Sequence, residues 1–197
     1  MAILRMAVDD DAGFMVPLIA ESSGGVWPAV WKALNTEREP AATHAQTYLT
    51  NPSNKLGIDN SVIAEIDGQP VGMMVLYQED EQPSAQDTKS ASTLPLSLWN
   101  ALQPYRQLSD PDSLFIAEVC LLPESRGRGV GTLFLDFAKT HAKELGLARV
   151  SLRVFSTNTA AVRLYQKSGF QITGTRSVLP HPDISIQGNV YLMTCAI

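Results

Sequence analysis

Two features in the last third of the chain carry residue types that could do chemistry. The first is Arg126-Gly127-Arg128-Gly129-Val130-Gly131-Thr132, a glycine-rich turn after an apolar run and before an amphipathic helical stretch. A turn that opens a helix presents free backbone N–H groups at the positive end of the helix dipole, an anion site suited to phosphate. Gly127, Gly129 and Gly131 permit positive φ and close approach of a ligand. Arg126 and Arg128 can add charge-assisted bonds, which a merely tight turn would not need. A nucleotide P-loop is excluded, because Gly131 is followed by Thr132 and no lysine. A dinucleotide turn fits poorly. Its third glycine falls on Thr132, and Arg149 and Arg153 stand where an acid is wanted about 20 residues on.

The second feature is Glu118, the one charge in the run 113–122 (SLFIAEVCLL). A carboxyl in an apolar strand has a raised pKa, which suits a general base that takes a proton from an ammonium group. The competing reading is a glutamate paired with a neighbouring arginine such as Arg153. Cys120 stands two residues on. Nothing nearby in sequence would lower its pKa, so it reads as a small core residue rather than a nucleophile.

The elements that must position these groups follow from periodicity. Residues 2–7, 61–67, 70–78, 113–122, 148–155, 170–177 and 189–196 read as strands, with Asp67-Gly68 a hairpin turn. The run 113–122 is apolar almost throughout, as in a central strand covered on both faces. Helices are expected after the acids Asp9, Asp10 and Asp11, where Pro17 predicts a kink or a late start. Further helices are expected around Trp27, Val30, Trp31 and Leu34, and around Leu98, Trp99, Leu102 and Tyr105. Two more span 132–145, with His141 on the buried face, and 158–168. Residues 79–92 look like an exposed, mobile loop, with Glu79-Asp80-Glu81 solvated; with the helix after them they make 79–112 an insertion in one domain of 1–197.

Composition sets bounds. With 197 residues, 45% hydrophobic, the chain fits a single globular domain. A net charge of −5 argues against a nonspecific nucleic-acid or anionic-membrane binder. Cys120 and Cys195 form no CxxC and no His cluster stands near them, so neither a metal site nor a disulfide framework is expected. No signal peptide and no run long enough to span a membrane is read, and the cytoplasm is the expected compartment.

Arg126-x-x-Gly129-x-Gly131 after an apolar strand resembles the pyrophosphate loop of the GCN5-related N-acetyltransferase (GNAT) superfamily. Asn158-x-x-Ala161-x-x-Leu164-Tyr165-x-x-x-Gly169-Phe170 resembles that superfamily's second signature, in the family's order and at about its spacing. The close resemblance covers about residues 113–171. It implies a mixed α/β (α+β) fold with a mostly antiparallel sheet whose middle strands, 113–122 and 148–155, splay apart. It implies acetyl-CoA in the gap, its pantetheine on the strand edge at Val119, Cys120 and Leu121 and its pyrophosphate on 127–132. It further implies CoA contact by Asn158, which would also suit a helix N-cap, and a general-acid role for Tyr165 toward the leaving thiolate. A glutamate that some N-terminal acetyltransferases of the superfamily carry five residues before the asparagine is replaced here by Arg153, which weakens a ribosomal-protein acetylase reading. The activity implied is acetyl transfer to a small-molecule or peptide amine without a metal. The alternative is a non-catalytic acyl-CoA-binding sensor or interaction module. Trp27 and Trp31 could line the acceptor pocket and His181 could border its mouth. A homodimer is left open, and the acceptor itself carries no motif.

Overall fold

The computed structural model describes residues 1–79 and 93–197. Among these residues, β1 (Ala2–Met6), β2 (Ser61–Ile66), β3 (Gln69–Gln78), β4 (Leu114–Leu121), β5 (Arg149–Phe155), β6 (Gln171–Ser177) and β7 (Asn189–Ala196) form one seven-stranded sheet. Its order is β1-β2-β3-β4-β5-β7-β6. Every neighbouring pair is antiparallel except β4 and β5, which run parallel. This is the mixed, mostly antiparallel sheet that the family resemblance implied.

Helices cover both faces. On one face lie α5 (Val130–Glu144) and α6 (Thr159–Lys167). Phe134, Leu135 and Ala138 of α5 pack there against Leu114, Ile116, Leu152 and Val154. Burying a side chain such as Phe134 stabilises by roughly 1.5–3 kcal/mol. On the other face α1 (Ala12–Ser22), α2 (Val26–Leu34) and α3 (Ala41–Thr50) pack Met15, Ile19, Trp31 and Leu49 onto Ile63, Met73, Val75 and Cys120. Between α2 and the β5–β7 end lies α4 (Leu96–Arg106). Its Leu98 and Ala101 meet Ala29 and Val30, and its Tyr105 meets Phe155.

Several sequence expectations need correction. Helix α1 begins at Ala12 and runs through Pro17 rather than starting late. Burial of Met15, Leu18 and Ile19 on either side of the proline offsets the lost backbone bond. Helix α3 was not anticipated, since AATHAQTYLT offers only Ala45 and Leu49 as buried positions. His141 is not buried. Its side chain is 39% exposed, beside Glu144 and stacked on Phe137. Glu79 is not solvated but buried, and it holds Arg153 through an ion pair of 2.8 Å. The rest of the acidic run and of the expected mobile loop, residues 80–92, lies outside the described residues. Both cysteines are free and buried. No described helix is long and apolar enough to cross a membrane.

Candidate active site

The site begins with a break in the sheet. β4 and β5 pair only through Leu114, Phe115 and Ile116 and their partners Val150, Ser151 and Leu152. Beyond Ile116 the strands part, as the resemblance implied. Val119, Cys120 and Leu121 still pair with Met74, Met73 and Gly72 of β3. Among the described residues their other edge has no strand, and a strand edge without a neighbour presents N–H and C=O groups that need partners.

A register shift sits at the same point. Leu76 pairs with Ile116, but Val75 pairs with Glu118, so Ala117 is an extra residue in β4. Strict alternation from Phe115 would turn Glu118 toward α5. The bulge puts Ala117 and Glu118 in succession on the α1–α2 face, opposite Val75, and restores alternation from Val119. One inserted residue thus decides which side of the sheet receives the carboxyl.

The splay opens a cavity of about 900 Å³ that reaches both faces of the sheet. Toward α5 and α6 it is lined by Arg126, Gly127, Gly129, Gly131, Thr132, Asn158 and Tyr165. Toward α2 and α4 it is lined by Trp27, Tyr77, Tyr105, Phe115, Arg153 and Phe155. Val119, Cys120 and Leu121 line it too. Arg128 and Val130 belong to the same turn but do not line the cavity: Arg128 is exposed and Val130 is buried in the core.

The glycine turn is built on two residues with positive φ and an open helix start. Gly127 and Gly129 have φ of 73° and 83°, where a side chain would strain the backbone. Gly131 does not have positive φ. A Cβ there would lie 2.9 Å from Leu164 Cδ2, so this glycine serves the close approach of α5 to α6. The first backbone bond of the α5 turn runs from Leu133 N–H to Gly129 O at 3.0 Å. Among the described residues, no amide from Gly127 to Thr132 donates to a backbone carbonyl ahead of that bond, so the helix start presents open donors. Arg126 is held at the rim, with Nε donating to Leu121 O at 3.1 Å and Nη2 paired to Glu21 at 2.6 Å.

Glu118 is held by two donors on the opposite face. Ser22 Oγ donates to Oε2 at 2.5 Å and Trp27 Nε1 donates to Oε1 at 2.9 Å. Burial pushes the carboxyl up to about 7, against the lowering effect of those two bonds and of the Arg153 charge. The alternative pairing of Glu118 with Arg153 is not made. Arg153 turns to Glu79 and stacks 4.4 Å above the Phe115 ring.

Tyr165 is buried, with its ring 5.9 Å from that of Phe170. Burial, then the charges of Glu118 and Cys120, push its phenol well above its ordinary range, so it stays protonated. Burial pushes the Cys120 thiol up to about 11, with Glu21 adding to the effect, so the nucleophilic thiolate is disfavoured. Asn158 Oδ1 accepts from Ala161 N–H at 3.2 Å, so it caps α6 while also lining the cavity.

Of the residues weighed for the acceptor side, Trp27 lines the cavity and Trp31 does not. Trp31 packs behind it, with ring centroids 6.3 Å apart. His181 lies in a bridge with Ile184 and outside the lining. Sequence reasoning missed Ser22, Tyr77, Tyr105 and Phe115 as parts of this site. Tyr105 and Phe115 stood in recognised elements, but nothing local says that they share a cavity.

The chain belongs to the acetyltransferase (GNAT) family, whose model matches residues 27–170. Among curated relatives, an uncharacterized N-acetyltransferase of Bacillus subtilis is 38% identical over 79 residues, covering 40% of this chain and 48% of that protein. A mycothiol acetyltransferase of Geodermatophilus obscurus is 43% identical over 58 residues, covering 28% of this chain and 19% of that protein. The matches thus span about half of these relatives' length or less. Among solved structures, a polyamine N-acetyltransferase of Drosophila melanogaster aligns over 100% of both chains with a TM-score of 0.69 at 16% identity. An agmatine N-acetyltransferase aligns over 100% of this chain and 99% of its own with a TM-score of 0.67 at 17% identity. At these identities the likeness is one of fold.

Proposed function

We propose that this chain transfers the acetyl group of acetyl-CoA to an amine by direct attack in a ternary complex. One observation carries the reading. The splay joins an open, amide-rich helix start on one face of the sheet to a half-buried carboxyl on the other, within a single cavity.

The residues present fit acetyl-CoA as cosubstrate. The amides of Gly127 to Thr132 and the α5 dipole suit a pyrophosphate, with Arg126 and Arg128 adding charge. The unpaired edge of β4 at Val119, Cys120 and Leu121 suits the amides of a pantetheine arm. Asn158 borders the same path. Acetyl-CoA supplies the activated acyl group. The chain's own residues do the rest. Glu118 accepts a proton from the incoming ammonium, directly or through water, and so frees the lone pair that attacks. A β4 edge N–H near Val119 to Leu121 stabilises charge on the thioester oxygen, an effect of roughly 2.7–4 kcal/mol for one well-placed donor. Tyr165 donates its proton toward sulfur as the C–S bond breaks. The products are an N-acetylated amine and a free thiol.

The acceptor is a small-molecule or peptide amine. Two free cysteines inside the core accord with a reducing, cytoplasmic setting. Purified protein incubated with acetyl-CoA and a panel of amines tests the reading. Amine-dependent release of free thiol, with the acetylated amine found by mass, is the expected result. Tight acetyl-CoA binding without release for any amine would favour a non-catalytic binder.

A further inference from the structure

The half of the cavity that faces α2 and α4 has a distinct chemistry. Trp27, Tyr77, Phe115 and Phe155 give it aromatic walls. Tyr77 and Phe115 lie 5.5 Å apart, and Tyr105 meets Phe155 edge-on at 5.9 Å. Among the described residues, Arg106, Arg126, Arg153 and Lys167 line the whole cavity against two carboxylates, Glu21 and Glu118. Glu21 is engaged by Arg126, and Glu118 by Ser22 and Trp27. A polyamine would bring several cations to a wall whose described residues offer no spare acid.

Two buried donors in this half have no acceptor among the described residues, the Tyr105 hydroxyl and Arg153 Nε. Tyr105 comes from α4, and Arg153 stands two residues before Phe155 on the same side of β5. Glu79 holds Arg153 through Nη2 at 2.8 Å, and the Phe115 ring supports the guanidinium from below, so its position is fixed while Nε stays unmatched. Buried polar groups without partners are rare in folded proteins. The Arg153 nitrogen can only donate and the Tyr105 hydroxyl can donate as well as accept, and a group that accepts from both without adding a donor of its own is a carboxylate.

We infer that the acceptor is an amine on an aromatic or apolar body that also bears a carboxylate, received by Arg153 and Tyr105. The inference rests on the acetyl-transfer reading and narrows its substrate class. Thiol release from acetyl-CoA is to be measured with two matched pairs, phenylalanine against phenethylamine and 4-(aminomethyl)benzoate against benzylamine, and with spermidine. In at least one pair the carboxylated amine should have the higher kcat/KM by about 10- to 100-fold, the effect of hydrogen bonds to a charged group. Spermidine should rank below it. Arg153→Met and Tyr105→Phe should each shrink that ratio; Tyr105→Phe, which keeps the ring packing, carries the comparison if loss of the Glu79 pair unfolds the other. Ratios near one in both pairs, or spermidine as the best acceptor, would overturn the inference and leave acetyl transfer standing. No release from any amine, with acetyl-CoA still bound, would overturn both.

Discussion

Glu118→Gln should lower kcat/KM by about 10²- to 10⁴-fold, the usual contribution of a positioned general base. It should also erase the acidic limb of the pH profile. With the carboxyl titrating near 7, the wild-type rate should rise with pH up to that point and level off above it. The variant has no group there to titrate. The same substitution should make the protein more stable at pH 8. Burial raises the folded pKa from 4.5 to about 7, so the folded state favours the protonated form. That contribution to stability is complete below the unfolded pKa and is lost as pH rises through 4.5 to about 7. Above 7 the wild type holds a buried charge at a cost on the order of 3 kcal/mol before solvent in the open cavity reduces it. Glutamine avoids that cost. It can still accept from Trp27, and Ser22 can reverse from donor to acceptor. Thermal melts of both proteins at pH 5 and pH 8 check this. The variant should gain far more at pH 8 than at pH 5, and equal melting at both would show that the carboxyl is not destabilised by burial.

Tyr165→Phe should lower kcat by about 10²- to 10⁴-fold and leave acetyl-CoA affinity nearly unchanged. The ring's packing against Phe170 survives the change, so the substitution removes the hydroxyl and little else. A phenol held protonated by burial beside Glu118 and Cys120 is a poor base and a ready hydrogen-bond donor, and the departing sulfur is the group that needs one. Calorimetric titration with acetyl-CoA beside steady-state rates separates the two effects. A loss of affinity with kcat intact would make Tyr165 a binding residue, and no change in either would remove it from the mechanism.

Much of this site can be read locally. The turn at 126–131 announces itself by glycines and arginines ahead of an amphipathic helix, and α6 by Asn158 and its apolar spacing. The strand 113–122 is legible as a buried run, with Glu118 its one anomaly. What the run hides is the bulge at Ala117, because a strand apolar on both faces has no alternation for an extra residue to interrupt. The partners of Glu118 are hidden as well. Ser22 and Trp27 lie 96 and 91 residues away in sequence, and Glu79 lies 74 from Arg153. Such pairings follow from the order of strands and the packing of helices over them, which local spacing does not encode. The same is true of Tyr105, whose helix was legible from its apolar spacing while its place in the cavity was not.

In the proposed mechanism the amine attacks acetyl-CoA directly while both are bound. Initial rates of thiol release, measured over a grid of acetyl-CoA and amine concentrations, test it most directly. Intersecting double-reciprocal lines, with the protein's own mass unchanged after exposure to acetyl-CoA alone, are the predicted result. Parallel lines with one acetyl group gained by the protein would mean a covalent acyl-enzyme, with Cys120 the first suspect, and would rule out direct attack.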